Sequence, residues 1–314
     1  MLAENYVISQ PFACDNLTIF LIHGEENAPD ARFLTLQEAL EQKKLVVHET
    51  RDVNELAIEN VSLEEVYLQS GDIVKGGLQD RVFAYDVIVA AQSGKIPVAA
   101  FCVEQGRWRQ REMEKDDHFS ISSHRLHSKD LKIATSVRHS QAEVWNKVSE
   151  AQDKLTAKLG GSVRAESSAT SLQLTLEDEK VDQRVERYVR ELSPVIGGDD
   201  GKSGVIGYAF AINGKVNSAD LYASIALFRK LWPKLLKASA VEAVAEFEEG
   251  RRFDSVTADD VKAYLNDYAR DKAVERQVTS RVRLITQETD KTILQDTCDL
   301  ERSGTWIHRS CLVK

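Results

Sequence analysis

The stretch VFAYDVIVAAQSGKIPVAAFCV, residues 82–103, decides the fold of the first third of this chain. It contains two apolar runs, residues 82–90 and 96–103, which are separated by the polar segment Gln92-Ser93-Gly94-Lys95. Apolar runs of this length that are bounded by turn residues predict strands, and a short Gly-containing segment between them predicts a hairpin. We therefore interpret residues 82–103 as two strands of an antiparallel sheet.

The same pattern extends towards the N-terminus. Further short apolar segments lie at Leu45–His48, Leu56–Ile58 and Val66–Leu68. A spacing of about ten residues between such segments is typical of antiparallel sandwiches and barrels. An earlier strand is predicted at Asn16–His23, and Thr35 and Glu38 have the spacing of a capping box at the start of a short helix. Residues 1–125 are thus predicted to form an antiparallel β-sandwich or barrel-like module.

Residues 126–314 are predicted to form an α+β region, because the apolar period changes after the polar segment Glu112–Ser128. We interpret that segment as a loop or domain junction. Apolar residues three or four positions apart predict helices over Gln141–Leu159 and Glu177–Leu192. Between these helices, leucines alternate with polar residues from Leu172 to Leu176, which predicts a half-buried strand.

The last third of the chain predicts one hairpin turn, two helices and terminal strands. Asn213-Gly214 has the sequence of a tight hairpin turn, and Ser218 is expected to cap the long helix that Pro233 then kinks. A further capped helix is predicted over Thr257–Lys272. The terminal strands are predicted at Val278–Thr286, Thr292–Cys298 and Thr305–Val313. They are expected to rejoin the N-terminal sheet, because their apolar edge would otherwise be exposed, which makes one integrated α+β domain an alternative to two.

Composition argues against several functional classes. A formal charge of −9 argues against a nucleic-acid partner, because binding to phosphates needs clustered Lys and Arg. No apolar run approaches the roughly 18–20 residues that cross a bilayer, so no membrane contact is expected. Residues 1–16 lack the basic start and long apolar stretch of a signal peptide. A cytoplasmic location is therefore expected.

Cysteines and histidines give little support for a metal or cofactor. The four cysteines form no CxxC pair and no Cys/His pair at zinc spacing, so we expect them to be reduced and packed. His124 and His127 could share one helical face, but their Ser-rich neighbours favour a loop. No cofactor and no metal are expected.

Two polar segments interrupt the β-rich third and could carry a site. Gly71–Arg81 contains the pair Gly76-Gly77, which suits either a solvated hairpin or a binding loop. Glu104–Arg109 follows the most hydrophobic strand, so its polar groups have a rigid base. An Arg fork suits carboxylate or phosphate, an adjacent Trp can stack on a base or sugar, and a Glu can accept from hydroxyls. The alternative is an Arg–Glu pair with a Trp lid over the edge of the core.

Specific strings within these segments resemble a known family. The strings are Cys102-Val103-Glu104-Gln105-Gly106-Arg107-Trp108, Gly76-Gly77-Leu78-Gln79-Asp80-Arg81 and Ile206-Gly207-Tyr208-Ala209-Phe210-Ala211-Ile212-Asn213-Gly214-Lys215. Together they resemble the ADP-ribosylglycohydrolase and rhodanese-phosphatase associated protein domain over nearly the whole chain. The resemblance implies a link to NAD metabolism and a nucleotide-like or sugar-phosphate small molecule as partner. It supplies no mechanism.

Three hypotheses follow. The first is a binding or accessory module for an ADP-ribose-like or phosphorylated metabolite. Its ligand-binding residues would be Asp72, Lys75, Gly77, Gln79, Arg81, Glu104, Arg107 and Trp108. In this hypothesis Arg107 lies at the rim of the site and meets phosphate. The second is a hydrolase in which Asp72 and Glu104 form a carboxylate pair. The third is a structural or protein-interaction module, in which the Gly-rich loop is architecture only.

Overall fold

The structure of the protein, a computed structural model, describes residues 6–108, 119–197, 204–267 and 273–314. Numbered along the chain, the strands are β1 Val7–Ile8, β2 Phe12–Cys14, β3 Leu17–His23, β4 Leu34–Thr35, β5 Leu45–Glu49, β6 Glu55–Asn60, β7 Val66–Leu68, β8 Asp72–Lys75, β9 Arg81–Phe83, β10 Val87–Val89, β11 Gly94–Cys102, β12 Ser120–Arg125, β13 Val205–Ile212, β14 Lys215–Tyr222, β15 Val274–Gln277, β16 Val282–Glu288, β17 Thr292–Asp299 and β18 Thr305–Val313. The α-helices are α1 Leu36–Glu41, α2 Lys129–Ile133, α3 Gln141–Leu159, α4 Leu172–Leu176, α5 Glu179–Leu192, α6 Ile225–Ala245 and α7 Ala258–Leu265. The predicted α+β class is confirmed.

The chain divides into two compact units. Residues 32–184 form the first, here called the central unit, and residues 1–31 with 185–314 form the second, the terminal unit. The boundary that the sequence suggested, between residues 125 and 126, lies inside the central unit. The reason is β12, which pairs with β8 and so belongs to the same sheet as the strands before it. Apolar patterning does not predict this strand, because its buried side chains are polar: Ser122, His124 and Arg125.

The terminal unit is built on one antiparallel sheet. Its described strands number nine, in the order β1-β3-β13-β14-β18-β17-β16-β15, with β2 also paired to β3. The C-terminal strands therefore join the same sheet as β3, as predicted. The helix α6 contacts β13 and β14, and Trp232 on α6 is buried. Trp306 on β18 is only half-buried and packs against the apolar cluster that includes Val261 and Leu265 of α7.

Residues 205–225 show one correct and one wrong prediction. Asn213 and Gly214 form the hairpin turn between β13 and β14, and both have positive φ, 53° and 72°, as a tight turn of this type requires. Ser218, however, does not cap a helix, because β14 continues to Tyr222. The cap of α6 is Ser224, whose hydroxyl accepts from the backbone N–H of Leu227 at 3.4 Å.

The central unit holds two sheets in the described residues. One has six strands in the order β12-β8-β9-β11-β6-β5, and the other has three in the order β10-β7-β4. Strands lie at each apolar segment predicted between residues 45 and 103, but residues 82–90 form two strands, β9 and β10, and not one. The hairpin predicted at Gln92–Lys95 is wrong, because β10 pairs with β7, whereas β11 pairs with β6 and β9. Helix α3 spans the predicted residues, and the left-handed Gly160 ends it. The predicted helix from Thr257 is present as α7, and residues 268–272 at its predicted end lie outside the described ranges.

Residues 172–176 form the helix α4 and not the predicted strand. Ser171 caps this helix by accepting from the N–H of Leu174 at 3.1 Å, and the N–H of Leu172 donates to the carbonyl of Val103 at 3.0 Å. Both contacts fix the start of a helical turn. The alternation of leucines was misleading because four of the five residues are buried, polar ones included. No helix in the described ranges is long and apolar enough to cross a membrane.

Candidate functional site

The loop Gly76–Asp80 connects β8 to β9 and is mostly buried, so it is not the solvated hairpin that composition favoured. Gly77 has φ +55°, and a Cβ built on it would lie 2.4 Å from Cζ of Phe119. The N–H of Gly76 donates to Oδ1 of Asp80 across the loop at 3.1 Å. A side chain at Gly77 would therefore meet both backbone strain and an aromatic ring.

Arg107 clamps this loop from the side of β11. Its Nη1 donates to the carbonyl of Gly77 at 3.1 Å, and its Nη2 donates to that of Gly76 at 3.4 Å. Its Nε lies 2.7 Å from Oε2 of Glu104, and its Nη2 lies 3.6 Å from Oδ1 of Asp80. Only 9% of Arg107 is exposed. The expectation that Arg107 lies at an open rim is therefore wrong, because its guanidinium is engaged by two carbonyls and two carboxylates.

Asp80 and Glu104 are the two carboxylates that lie together here, and both are fully buried. The N–H of Asp80 donates to Oε2 of Glu104 at 3.2 Å, and the hydroxyl of Ser171 donates to Oδ2 of Asp80 at 3.0 Å. Gln79 adds a bond from its Nε2 to the carbonyl of Glu104 at 2.9 Å. Glu104 and Gln79 thus hold the end of β11 against the loop.

Asp72 does not form the carboxylate pair with Glu104 that a hydrolase would need. It begins β8, whereas the loop follows the other end of this strand, about 10 Å away at the rise of an extended chain. Its Oδ2 accepts from the N–H of Gln69 at 3.1 Å, and it lies opposite Arg125 of β12. Asp72 therefore supports the turn before β8 and is separate from Glu104.

Arg81 differs from Arg107 in how well its donors are matched. It is fully buried, and its Nη1 donates to Oε1 of Gln79 at 2.8 Å. Its Nη2 reaches Oε1 of Glu49 at the longer distance of 3.3 Å. The Nε of Arg81 has no acceptor among the residues that the structure describes. Arg81 is therefore a buried cation with unmatched donor capacity.

Trp108 covers Arg81. The guanidinium carbon lies 5.6 Å from the centroid of the indole, which is within the range of a cation–π contact. Trp108 itself is 49% exposed, although most large apolar side chains of the described residues are buried. Lys75, at the end of β8, instead points to Glu177, with 2.8 Å between Nζ and Oε2. Trp108 and Arg81 are thus the predicted residues that combine an accessible ring with an unsatisfied donor.

The comparison with protein families supports the family resemblance that the sequence strings indicated. A profile described as the ARG and Rhodanese-Phosphatase-superfamily-associated Protein domain, ARPP-1, matches residues 5–312. The chain belongs to this family. No curated protein and no solved structure gives a match. The ARPP-1 profile spans both compact units, so both are parts of the family's domain.

Three residues of this cluster were not among the candidates from the sequence. Glu49 and Ser171 lie 32 and 91 positions from the residues that they contact, Arg81 and Asp80, so only the fold brings them together. Asp80 lies within the string Gly76–Arg81, after the glycine pair and directly before Arg81. This position in the string was the sequence signal that could have identified Asp80 as a candidate. The candidates that the structure gathers around the loop are Gly77, Gln79, Arg81, Glu104, Arg107 and Trp108.

The four cysteines and His127 are packed in the interior. All four cysteines are free and buried, and burial raises the pKa of the Cys102 thiol, which donates to the carbonyl of Glu104 at 3.0 Å. His127 is fully buried, and burial lowers the pKa of its imidazole to about 3. The described residues contain no group of three His, Cys, Asp or Glu placed to hold a metal ion.

Proposed function

We propose that this protein is a binding module for a nucleotide-like metabolite, with a flat ring of the ligand against Trp108 and an acceptor atom of the ligand against Arg81. The observation that carries the proposal is the environment of Arg81. Its side chain is fully buried, and its Nε meets no acceptor within the described residues. The half-exposed indole of Trp108 lies directly beside the same guanidinium.

A buried guanidinium is unfavourable unless its donors meet acceptors. Arginine carries five N–H donors, and a buried donor that stays unmatched costs on the order of 1–3 kcal/mol. In the described part of the chain, Gln79 and Glu49 supply acceptors to Nη1 and Nη2. An acceptor atom from a ligand would reduce the free-energy cost of the Nε donor that has no acceptor in the described residues. The unmatched donor of the free protein therefore favours ligand binding.

Trp108 follows a residue whose side chain is held by the loop. The guanidinium of Arg107 is bonded to the carbonyls of Gly76 and Gly77. A Trp side chain has only two rotatable bonds, so it loses little conformational entropy when a ligand binds. Stacking on such a ring suits nucleobases, because every base has a flat face.

The geometry supports binding better than hydrolysis. The carboxylates that lie together, Asp80 and Glu104, share the guanidinium of Arg107 and accept hydrogen bonds from Gly76, Asp80 and Ser171, whereas an acid–base pair must be available to the substrate or a water molecule. Asp72 lies at the far end of β8. We therefore assign these carboxylates to holding the loop.

ADP-ribose and NAD are the first ligands to test. Their choice rests on interpreting ARG in the family's name as ADP-ribosylglycohydrolase, together with the base-stacking character of Trp108. A cytoplasmic protein would meet these metabolites, and four free, buried cysteines suit a reducing compartment.

Calorimetric titration with adenosine, ADP-ribose and NAD tests the proposal. Replacing Trp108 by Ala should weaken binding about ten- to hundredfold, the usual effect of losing one base stack. The matched variant Trp108→Phe keeps a flat ring and should retain most of the affinity. The proposal fails if the wild type binds none of the three compounds, or if Trp108→Ala binds them as tightly as the wild type does.

A further inference from the structure

Glu49 contacts Arg81 and affects whether the guanidinium can bind a charged or an uncharged ligand group. It is the last residue of β5, and its side chain is 15% exposed. Its Oε1 lies 3.3 Å from Nη2 of Arg81, and its Oε2 accepts from the N–H of Leu78 at 3.2 Å. Both carboxylate oxygens are therefore held by the loop that carries Arg81.

The charges around Arg81 do not favour an anion. Glu49 is the carboxylate that is paired with Arg81, with 3.3 Å between Oε1 and Nη2. This pair is formally neutral, so Arg81 offers an incoming anion no uncompensated positive charge. A phosphate or carboxylate placed at Arg81 would lie close to the Glu49 carboxylate in a poorly solvated environment, where like charges repel strongly.

We infer that the part of the ligand that reaches Arg81 is uncharged, namely a ring carbonyl or ring nitrogen, and that Glu49 is the residue that selects against anionic groups there. This inference rests on the proposed function, since it concerns the ligand of the same Arg81–Trp108 site. Any phosphates of a nucleotide then lie outside this contact. The base of the ligand is recognised, and its charged tail contributes little to affinity.

The alternative is an anion that displaces Glu49 from Arg81. The contact between these two side chains is long, at 3.3 Å, so displacement is geometrically simple. It would leave the Glu49 carboxylate without Arg81 while the N–H of Leu78 still holds it at 3.2 Å, close to the incoming anion. Because the carboxylate would remain nearby, displacement would not remove the repulsion, and the uncharged acceptor is favoured.

Pairs of probes that share a ring system, one member uncharged and the other anionic, provide the test. The pairs are nicotinamide with nicotinate, and adenosine with adenosine monophosphate, titrated against the full chain by calorimetry. The uncharged member should bind at least as tightly as the anionic one, whereas direct recognition of an anion by Arg81 would favour the anionic member by about tenfold or more. This comparison needs only the unaltered protein.

The variant Glu49→Gln then tests the role of Glu49. It should improve binding of nicotinate relative to nicotinamide by about tenfold, because it removes the nearest negative charge. The control is Glu177→Gln, which makes the same change in a carboxylate that contacts Lys75 and not Arg81, and it should leave the ratio unchanged.

The outcomes separate the inference from the proposal beneath it. If none of the four probes binds, and ADP-ribose and NAD also fail to bind, the proposed function is wrong and the inference falls with it. If the anionic probes bind more tightly by tenfold or more, the site exists and the inference is overturned. If uncharged probes are preferred but Glu49→Gln and Glu177→Gln give the same ratio, the selection does not come from Glu49.

Discussion

Nε of Arg107 lies 2.7 Å from Oε2 of Glu104, and these side chains are 8% and 0% exposed. The contact is an ion pair more than an aligned hydrogen bond, and the hydrogen bonds of Arg107 go to the carbonyls of Gly76 and Gly77. The pair therefore connects the end of β11 to the loop between β8 and β9. Removing one partner would take an opposite charge away from a buried ionised group, which gives the first prediction.

Replacing Arg107 by Met should lower the free energy of unfolding by about 3–5 kcal/mol, because the buried carboxylates of Glu104 and Asp80 would lose a cationic partner. The control is Lys75→Met, since the ion pair of Lys75 with Glu177 is partly exposed and such pairs contribute about 0–1 kcal/mol. Urea unfolding of both variants checks this. Equal midpoints for Arg107→Met and the wild type would show that the clamp does not stabilise the loop.

Replacing Gly77 by Ala should destabilise the protein by about 2–4 kcal/mol, through positive-φ strain and a clash with Phe119. Gly106→Ala is the matched control: its φ is +86°, but a Cβ there meets nothing within 4 Å, so only the backbone strain of about 1–2 kcal/mol is expected. If the ring is the cause, Phe119→Leu should recover part of the loss in Gly77→Ala but none in Gly106→Ala.

Stability should fall with decreasing pH because of His127. Burial lowers the pKa of this imidazole to about 3 from an ordinary value of 6.5, so between these values the unfolded chain binds a proton that the folded chain does not. Stability is thus retained above pH 6.5 and lost as the pH falls, by about 3 kcal/mol at pH 4.5. In unfolding experiments, His127→Leu should remove that part of the difference between pH 7 and pH 4.5.

The control for His127 is a neighbouring core change with no titratable group. Leu126 is fully buried, so Leu126→Ala should lower stability by a similar amount at both pH values. If His127→Leu keeps the full difference between pH 7 and pH 4.5, the acid sensitivity arises at other residues.

A chain that ends at residue 272 should aggregate. It would lose β15 to β18, and β18 lies between β14 and β17 in the sheet. The strand β14 would then have an open edge and lose the contact of Ala219 with Cys311, both of which belong to the apolar cluster. Size-exclusion chromatography and a thermal melt check this. A monomeric truncated chain with a cooperative melt would contradict it.

Local sequence patterns predicted the elements that are stabilised by interactions between residues close together in the sequence. Asn213-Gly214 accepts positive φ, and Thr35 and Glu38 bond to each other's backbone, so turn and cap could be read directly. The segment Leu172–Leu176 could not, because its helix begins where Ser171 contacts Asp80, a residue far away in the chain. Glu49 was missed for the same reason, since its partner Arg81 is brought near by the pairing of β5, β6, β11 and β9.

The burial of the arginines likewise depends on the fold. An Arg beside a Trp after an apolar strand suits both a ligand-binding rim and a lid over a buried ion pair, and the sequence left both open. The structure favours the buried pair for Arg107, whose guanidinium contacts two carbonyls and two carboxylates. It leaves Arg81, two residues from Gln79, with an unmatched Nε in the described residues.

The two buried arginines should therefore respond differently to the same substitution. Arg107→Met removes a partner from carboxylates that are fully buried, so stability should fall, as argued above. Arg81→Met removes a cation whose Nε has no acceptor in the described ranges and leaves Glu49, which is 15% exposed and can turn towards water. Replacing a poorly matched buried charge by an apolar side chain is often neutral or stabilising, so the free energy of unfolding should stay within about 1 kcal/mol of the wild type or rise.

Ligand binding should show the opposite order. Arg81→Met should lose binding of the adenosine and nicotinamide probes, because a functional site often retains groups that are unfavourable for stability. The double variant Arg81→Met with Glu49→Gln also removes the charge of the carboxylate that Arg81 contacts and should be at least as stable as Arg81→Met alone. Urea unfolding together with calorimetric titration gives both quantities on the same samples. If Arg81→Met loses as much stability as Arg107→Met and still binds the probes, Arg81 is a structural residue and the ligand contacts must lie elsewhere.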